Sequence, residues 1–248
     1  MIDAAPPSAP SGGSPAPGGR SIGTSPAASG SGPPAAASTS STSRGVAPVL
    51  PIGPLRAPGL PSTAALALAR APRRELEVAV VRGITPDLDA LAGWEFRGIN
   101  ATPPGAPPIA RLAGIEKFVK GMFLAGDGRV MGYNCPVVQN VLDGRWQTRP
   151  SDADPKRFGF YTIVPVDPTS RDNRYLHALL LDYGQGGNAA WDITRGLRDY
   201  LVQVDADNPD LLVGKAYTAV GAARLAVGFF VLERWRRGPA VLPPRRPG

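Results

Sequence analysis

Residues 114–141 read GIEKFVKGMFLAGDGRVMGYNCPVVQNV. Two runs of aromatic, β-branched and large apolar residues flank Gly126-Asp127-Gly128. An Asp-Gly pair supplies the backbone freedom of a tight turn, so the stretch predicts a hairpin with strands over 114–124 and 129–141. Toward the N-terminus, Trp94–Asn100 sets Trp94, Phe96 and Gly98 against Glu95, Arg97 and Ile99, the period-2 pattern of another strand. Toward the C-terminus, 158–166, 175–183, 199–205, 211–219 and 225–235 read as strands separated by turns such as Asp167-Pro168 and Ala206-Asp207-Asn208-Pro209.

Eight mostly antiparallel strands in this space form either a sandwich or an up-and-down barrel. Local turns between successive strands favour the barrel, because hairpin neighbours need no crossover. Several strands carry apolar residues on both faces with one or two polar groups each, the composition expected of a mixed inner face around a ligand cavity. Glu75–Arg82 fits helix or strand. Pro86 opens a short helix over 86–92, with Thr85 as N-cap, Asp87 and Asp89 in the first turn and Gly93 at its end.

All 17 aromatic residues fall between Trp94 and Trp235. Residues 1–45 are Pro-, Ala-, Ser- and Gly-rich and cannot bury enough apolar surface to offset chain entropy, so disorder is expected there. Residues 46–74 carry five prolines before Ala64 and read as an extended linker. The expected organisation is a tail and linker over 1–74, a β-barrel over 75–235 and a basic, frayed tail over 236–248.

The net charge of +7 is uneven. Residues 1–74 hold six Arg and one Asp, and 234–248 hold five Arg and no acid. Residues 75–233 hold 16 basic and 19 acidic residues, so the basic balance belongs to the ends and nucleic-acid binding by the domain is not expected. No apolar run is long enough for a membrane-spanning helix. Met1–Pro10 has no basic residue and three prolines, unlike a secretory signal, so a cytoplasmic location is expected. One Cys and one His exclude a disulfide framework and a two-histidine metal motif. No metal, cofactor or catalytic residue is assigned, and nothing specifies an oligomeric state.

A short helix leading into a strand that begins at Trp94, and a last strand ending in Glu233-Arg234, resemble the calycin group of lipocalins and fatty-acid-binding proteins. The resemblance implies an antiparallel eight-stranded lipocalin-like barrel in which Trp94 stacks on Arg234 to close the base. The family's Gly-x-Trp is here Gly93-Trp94, without the spacer. Leu91–Gly98 is also similar to the Gly-x-Trp-x-Gly start of uncharacterised bacterial proteins.

Among residues that could carry chemistry, His177 and Asp182 are five apart and would point to opposite faces of one strand. Cys135 reads as a small buried hydrophobe. The acidic run Asp205–Asp210 lacks the Gly and Glu of a calcium loop and reads as a turn. Gly184–Asn188 reads as a flexible loop at the barrel mouth, with Trp191 at the rim. Polar residues in apolar strands are the ligand-binding candidates: Asn140, Tyr161, His177, Gln203 and Lys215, with Trp191 beside them. The expected function is binding of a small apolar molecule. The alternative is a cofactor-independent isomerase or decarboxylase on the same barrel, favoured if His177 meets Arg, Tyr or Asp inside a cavity.

Overall fold

The Gly126-Asp127-Gly128 turn joins β2 (Lys117–Leu124) to β3 (Val130–Pro136), with Gly128 at a φ of 81° and the Asp127 carboxylate accepting the Arg129 N–H at 3.1 Å. The computed structural model describes residues 59–101 and 115–242. The expected disorder of 1–45, residues 46–58 of the linker and Gly114 lie outside them. Around the hairpin stand β1 (Trp94–Ala101), β4 (Phe158–Pro165), β5 (Leu179–Asp182), β6 (Leu197–Asp205), β7 (Asn208–Val220) and β8 (Ala223–Arg237). Each pairs antiparallel with the next, and β8 returns to β1 from Trp94↔Arg237 to Ala101↔Phe229. The sheet is a closed barrel in which each strand has a paired neighbour on both sides.

Several boundaries differ from expectation. The strand expected over 129–141 ends at Pro136, beyond which a side chain continues the ladder. Gln139 Oε1 accepts the N–H groups of Glu116 and Lys117, while its Nε2 donates to the Lys117 carbonyl. The strand expected over 175–183 shrinks to β5, because Asp182 caps a 3₁₀ turn at Tyr183–Gln185 by accepting the Gly184 N–H at 2.7 Å. Asp87 rather than Thr85 caps α3 (Leu88–Leu91); the Thr85 hydroxyl donates to the His177 carbonyl instead.

Two helices precede these. α2 (Arg73–Arg82) buries Leu76 and Val80, one turn apart, which settles Glu75–Arg82 as helix. α1 (Thr63–Ala69) lies within the stretch read as linker and corrects that reading. The Ser62 side chain accepts the Ala65 N–H, and Ala65, Leu66 and Leu68 are buried. At the other end β8 runs through Arg237, so Arg234-Trp235-Arg236-Arg237 is strand and not a frayed tail. With these ends included, residues 63–237 hold 22 basic and 19 acidic residues, and the acidic balance given to the domain does not hold.

The doubly apolar strands have a different cause from the one expected. The barrel interior is filled by residues such as Phe96, Met122, Tyr161, Leu181, Leu212 and Phe230. The outer face is also buried. α1 and α2 cover a second core containing Tyr200, Val202, Val213 and Phe229. A third core holds Ile99, Val119, Tyr133, Cys135 and Trp146. Cladding outside, more than a cavity inside, makes both faces apolar.

Candidate functional site

Among the described residues, the interior holds one cluster of ionisable side chains. On β2, Phe118, Lys120 and Met122 share the inward face by period 2. Lys120 stands opposite Asn134 of β3, Asp199 enters from β6, and Tyr183 arrives from the turn that Asp182 caps. Glycines make room for the rings around them. A Cβ on Gly132 would stand 2.3 Å from the Tyr161 ring, and one on Gly214 would stand 2.0 Å from that of Phe230.

The Lys120 ammonium donates to Asn134 Oδ1 at 3.1 Å, to the Tyr183 hydroxyl, and to Asp199 Oδ2 at 3.4 Å. It also lies 4.6 Å from the centre of the Tyr161 ring and 5.1 Å from that of Phe230, within cation–π range. Tyr183 donates to Asp199 Oδ2 at 3.2 Å, and Asn134 Nδ2 donates to the Gly159 carbonyl at 2.9 Å. Burial lowers the Lys120 pKa against the pull of Asp199 and raises that of Asp199 against the pull of Lys120. Burial, with the Asp199 charge beside it, holds the Tyr183 hydroxyl well above the ordinary tyrosine range. Asp199 Oδ1 is buried with no partner among the described residues.

Above this floor a cavity of about 220 Å³ opens at one barrel end. Its walls include Phe118, Leu197, Ala216, Val227 and Phe230, and Lys120, Asn134, Tyr183 and Asp199 form its polar base. A larger depression of about 510 Å³ lies beside the β2–β3 turn, lined by Phe123, Met131, Phe160 and Leu242. Among the described residues its charged lining residues, Asp127 and Arg129, are exposed, whereas the mouth carries buried, interacting ionisable groups that can orient a ligand.

The six ligand candidates are dispersed. Tyr161 is interior, its ring centre 4.8 Å from that of Tyr183, but it does not line the cavity. Asn140 is exposed on the segment after β3, where its Oδ1 accepts from Lys117. His177 lies before β5, outside the barrel, with Nε2 2.9 Å from the Val80 carbonyl. Gln203 ties the β6–β7 turn by donating to the Asp205 and Ala206 carbonyls at 2.7 and 3.1 Å. Lys215 points outward beneath α2, donating to Glu77 at 2.6 Å and Tyr175 at 2.7 Å. Trp191 is 86% exposed. At the opposite barrel end the Arg234 guanidinium lies 4.7 Å from the Trp94 ring centre, and that of Arg237 lies 3.8 Å from it.

The loop read as flexible, 184–188, is pinned. A Cβ on Gly186 would lie 1.8 Å from the Phe160 carbonyl oxygen, and the Asn188 amide bonds both the N–H and the carbonyl of Phe160. Sequence reading missed Lys120, Asn134, Tyr183 and Asp199. Lys120, Asn134 and Asp199 meet the same criterion, a polar residue in an apolar strand, that selected Gln203 and Lys215. Alternation does not separate them: Lys120 keeps step with Phe118 and Met122, and Lys215 keeps step with Val213 and Tyr217, yet the first set turns inward and the second outward.

An eight-stranded barrel in which every strand pairs with its sequence neighbour, and the last with the first, is lipocalin-like in architecture. No protein-family model matches the chain, and comparison with curated proteins gives no match. A solved structure reported under the words "The Siderocalin Ex-FABP functions through dual ligand specificities" is similar at 10% identity, over 59% of this chain and 71% of that one, with a TM-score of 0.29.

Proposed function

We propose that this barrel binds a small, largely apolar molecule at the mouth above Lys120, Tyr183 and Asp199. The observation that carries the reading is an apolar-walled cavity ending on a few buried polar groups, the usual composition of a small-molecule site. Size limits the ligand. Cavities for drug-sized molecules run from about 300 Å³ upward, whereas an apolar cavity of about 150 Å³ accepts benzene. A volume of about 220 Å³ suits one substituted ring. Ligand-observed NMR with a set of one-ring compounds tests this. Binders are expected, and Ala216→Trp, which fills the wall, should abolish them while circular dichroism still reports the native barrel. No binders, or binders indifferent to the filled wall, would reject the site.

A cofactor-independent proton transfer on the same cavity is the second reading. It is favoured by Lys120, Tyr183 and Asp199 lying in mutual contact at the floor. Chemical change of a bound compound, lost in Tyr183→Phe with binding retained, separates it from simple binding.

A further inference from the structure

Resting on the binding site just proposed, the hydrogen bonds of the floor specify the head group. A lysine ammonium has three N–H groups, a primary amide two and a phenol one O–H. Lys120 directs its three to Asn134, Tyr183 and Asp199. Asn134 directs its two to the Gly159 carbonyl at 2.9 Å and the Tyr183 oxygen at 3.3 Å. Tyr183 directs its O–H to Asp199 Oδ2. At the rim Thr194 donates to Asp192 at 2.7 Å, and Asn100 gives one N–H to the Ile115 carbonyl. Every proton of the floor therefore already meets an acceptor. What remains is an acceptor: Asp199 Oδ1, buried and without a partner among the described residues.

We infer that the mouth selects a neutral one-ring molecule carrying a hydroxyl group, which donates its hydrogen bond to Asp199 Oδ1. A carboxylate or carbonyl head would find no free donor at the floor, and a carboxylate would also face the Asp199 charge. An ammonium head would meet Lys120, whose own ammonium stands 3.4 Å from the other oxygen of the same carboxylate. A neutral hydroxyl satisfies the orphaned oxygen without adding charge, and a buried charged oxygen left unpaired is costly enough for that bond to decide affinity. Tyr161 carries the other unpaired hydroxyl near the cluster, but it lies across Gly132 and is not part of the cavity wall.

The test is a fluorine-NMR titration of the wild-type chain at neutral pH with four probes of similar size: 4-fluorotoluene, 4-fluorophenol, 4-fluorobenzoate and 4-fluorobenzylamine. The phenol should bind roughly tenfold tighter than the toluene, as one hydrogen bond to a charged acceptor predicts. The benzoate and benzylamine should bind more weakly than the toluene. In Lys120→Met/Asp199→Leu, which replaces the ion pair by apolar side chains, phenol and toluene should bind alike. Toluene bound but phenol no tighter, benzoate bound tightest, or a phenol preference that survives the double substitution would each overturn the head-group assignment and leave the cavity standing. Failure of all four probes to bind would overturn the cavity reading itself, and the head-group assignment with it.

Discussion

Lys120 and Asp199 show how strongly a single buried pair depends on its partner. Both lie in the barrel interior, with side chains 3% and 6% exposed. Removing one charge strands the other in an apolar interior, which typically costs about 3–5 kcal/mol, whereas replacing both by apolar groups of similar volume is often neutral or stabilising. Urea unfolding should therefore find Lys120→Met and Asp199→Leu each strongly destabilised and the double variant close to wild type. Additive losses would mean that the two side chains act independently. Cys135 is a contrasting case. Burial, reinforced by the nearby Glu95 charge, pushes its thiol up to about 12, so it is a packing residue with no free thiolate at neutral pH.

At the scale of elements, α1 carries more than its composition suggested. Leu66 and Leu68 are buried, and the Ser62 N–H meets Glu233 at 2.9 Å, over the Arg97–Glu233 pair of β1 and β8. Two buried leucines at about 1.5–3 kcal/mol each imply a loss of roughly 3–6 kcal/mol when the helix is removed. Deleting residues 1–70 should lower the melting temperature by roughly ten degrees, while deleting 1–58 should change it little. Equal melting temperatures for the two truncations would show that α1 contributes nothing. Five prolines ahead of Ala64 dominated the composition of this region and concealed a capped, apolar helix of about two turns. The Asp127-Gly128 hairpin was readable because its turn chemistry is local. The end of β3 was not, because Gln139 substitutes a side chain for backbone, and nothing in its neighbours announces that.

Across the whole molecule, the strand count and closed order could be read, since seven of the eight pairings join sequence neighbours. The site could not, because it depends on which face of each strand turns inward. Apolar cladding outside the barrel erased the contrast between the faces that would have shown this. Lys215 and Lys120 look alike in sequence and lie on opposite sides of the wall. The crowding of tyrosines into these cores has a pH consequence. Burial first of all raises the pKa of Tyr133, Tyr161, Tyr175, Tyr183 and Tyr200. The unfolded chain releases these protons from about pH 10, where the native protein still holds them. Their contribution to stability is thus complete below that pH and is lost as pH rises toward the folded values. Urea midpoints should fall steeply above about pH 10, with tyrosinate absorbance appearing together with unfolding. Ionisation of these tyrosines at ordinary values in a still-folded barrel would contradict the packing described.

The β1–β8 seam differs from the other seven in one respect: it joins residues more than a hundred positions apart, from Trp94↔Arg237 to Ala101↔Phe229. Loop-closure entropy makes such contacts slow to form. During refolding there is therefore an interval in which the other strands have paired and both flanks of an open sheet offer unpaired backbone to other chains. The flanks are charged where they will meet. Arg97 finds Glu233 at 2.9 Å and Arg236 finds Glu95 at 2.6 Å only once the seam has closed. Before closure the same side chains act as gatekeepers against intermolecular strand addition. Replacing Arg236 and Arg237 by leucine should therefore lower the yield of soluble refolded protein more steeply with chain concentration than the loss of native stability explains. A yield that followed stability alone would show that the half-made barrel needs no such protection.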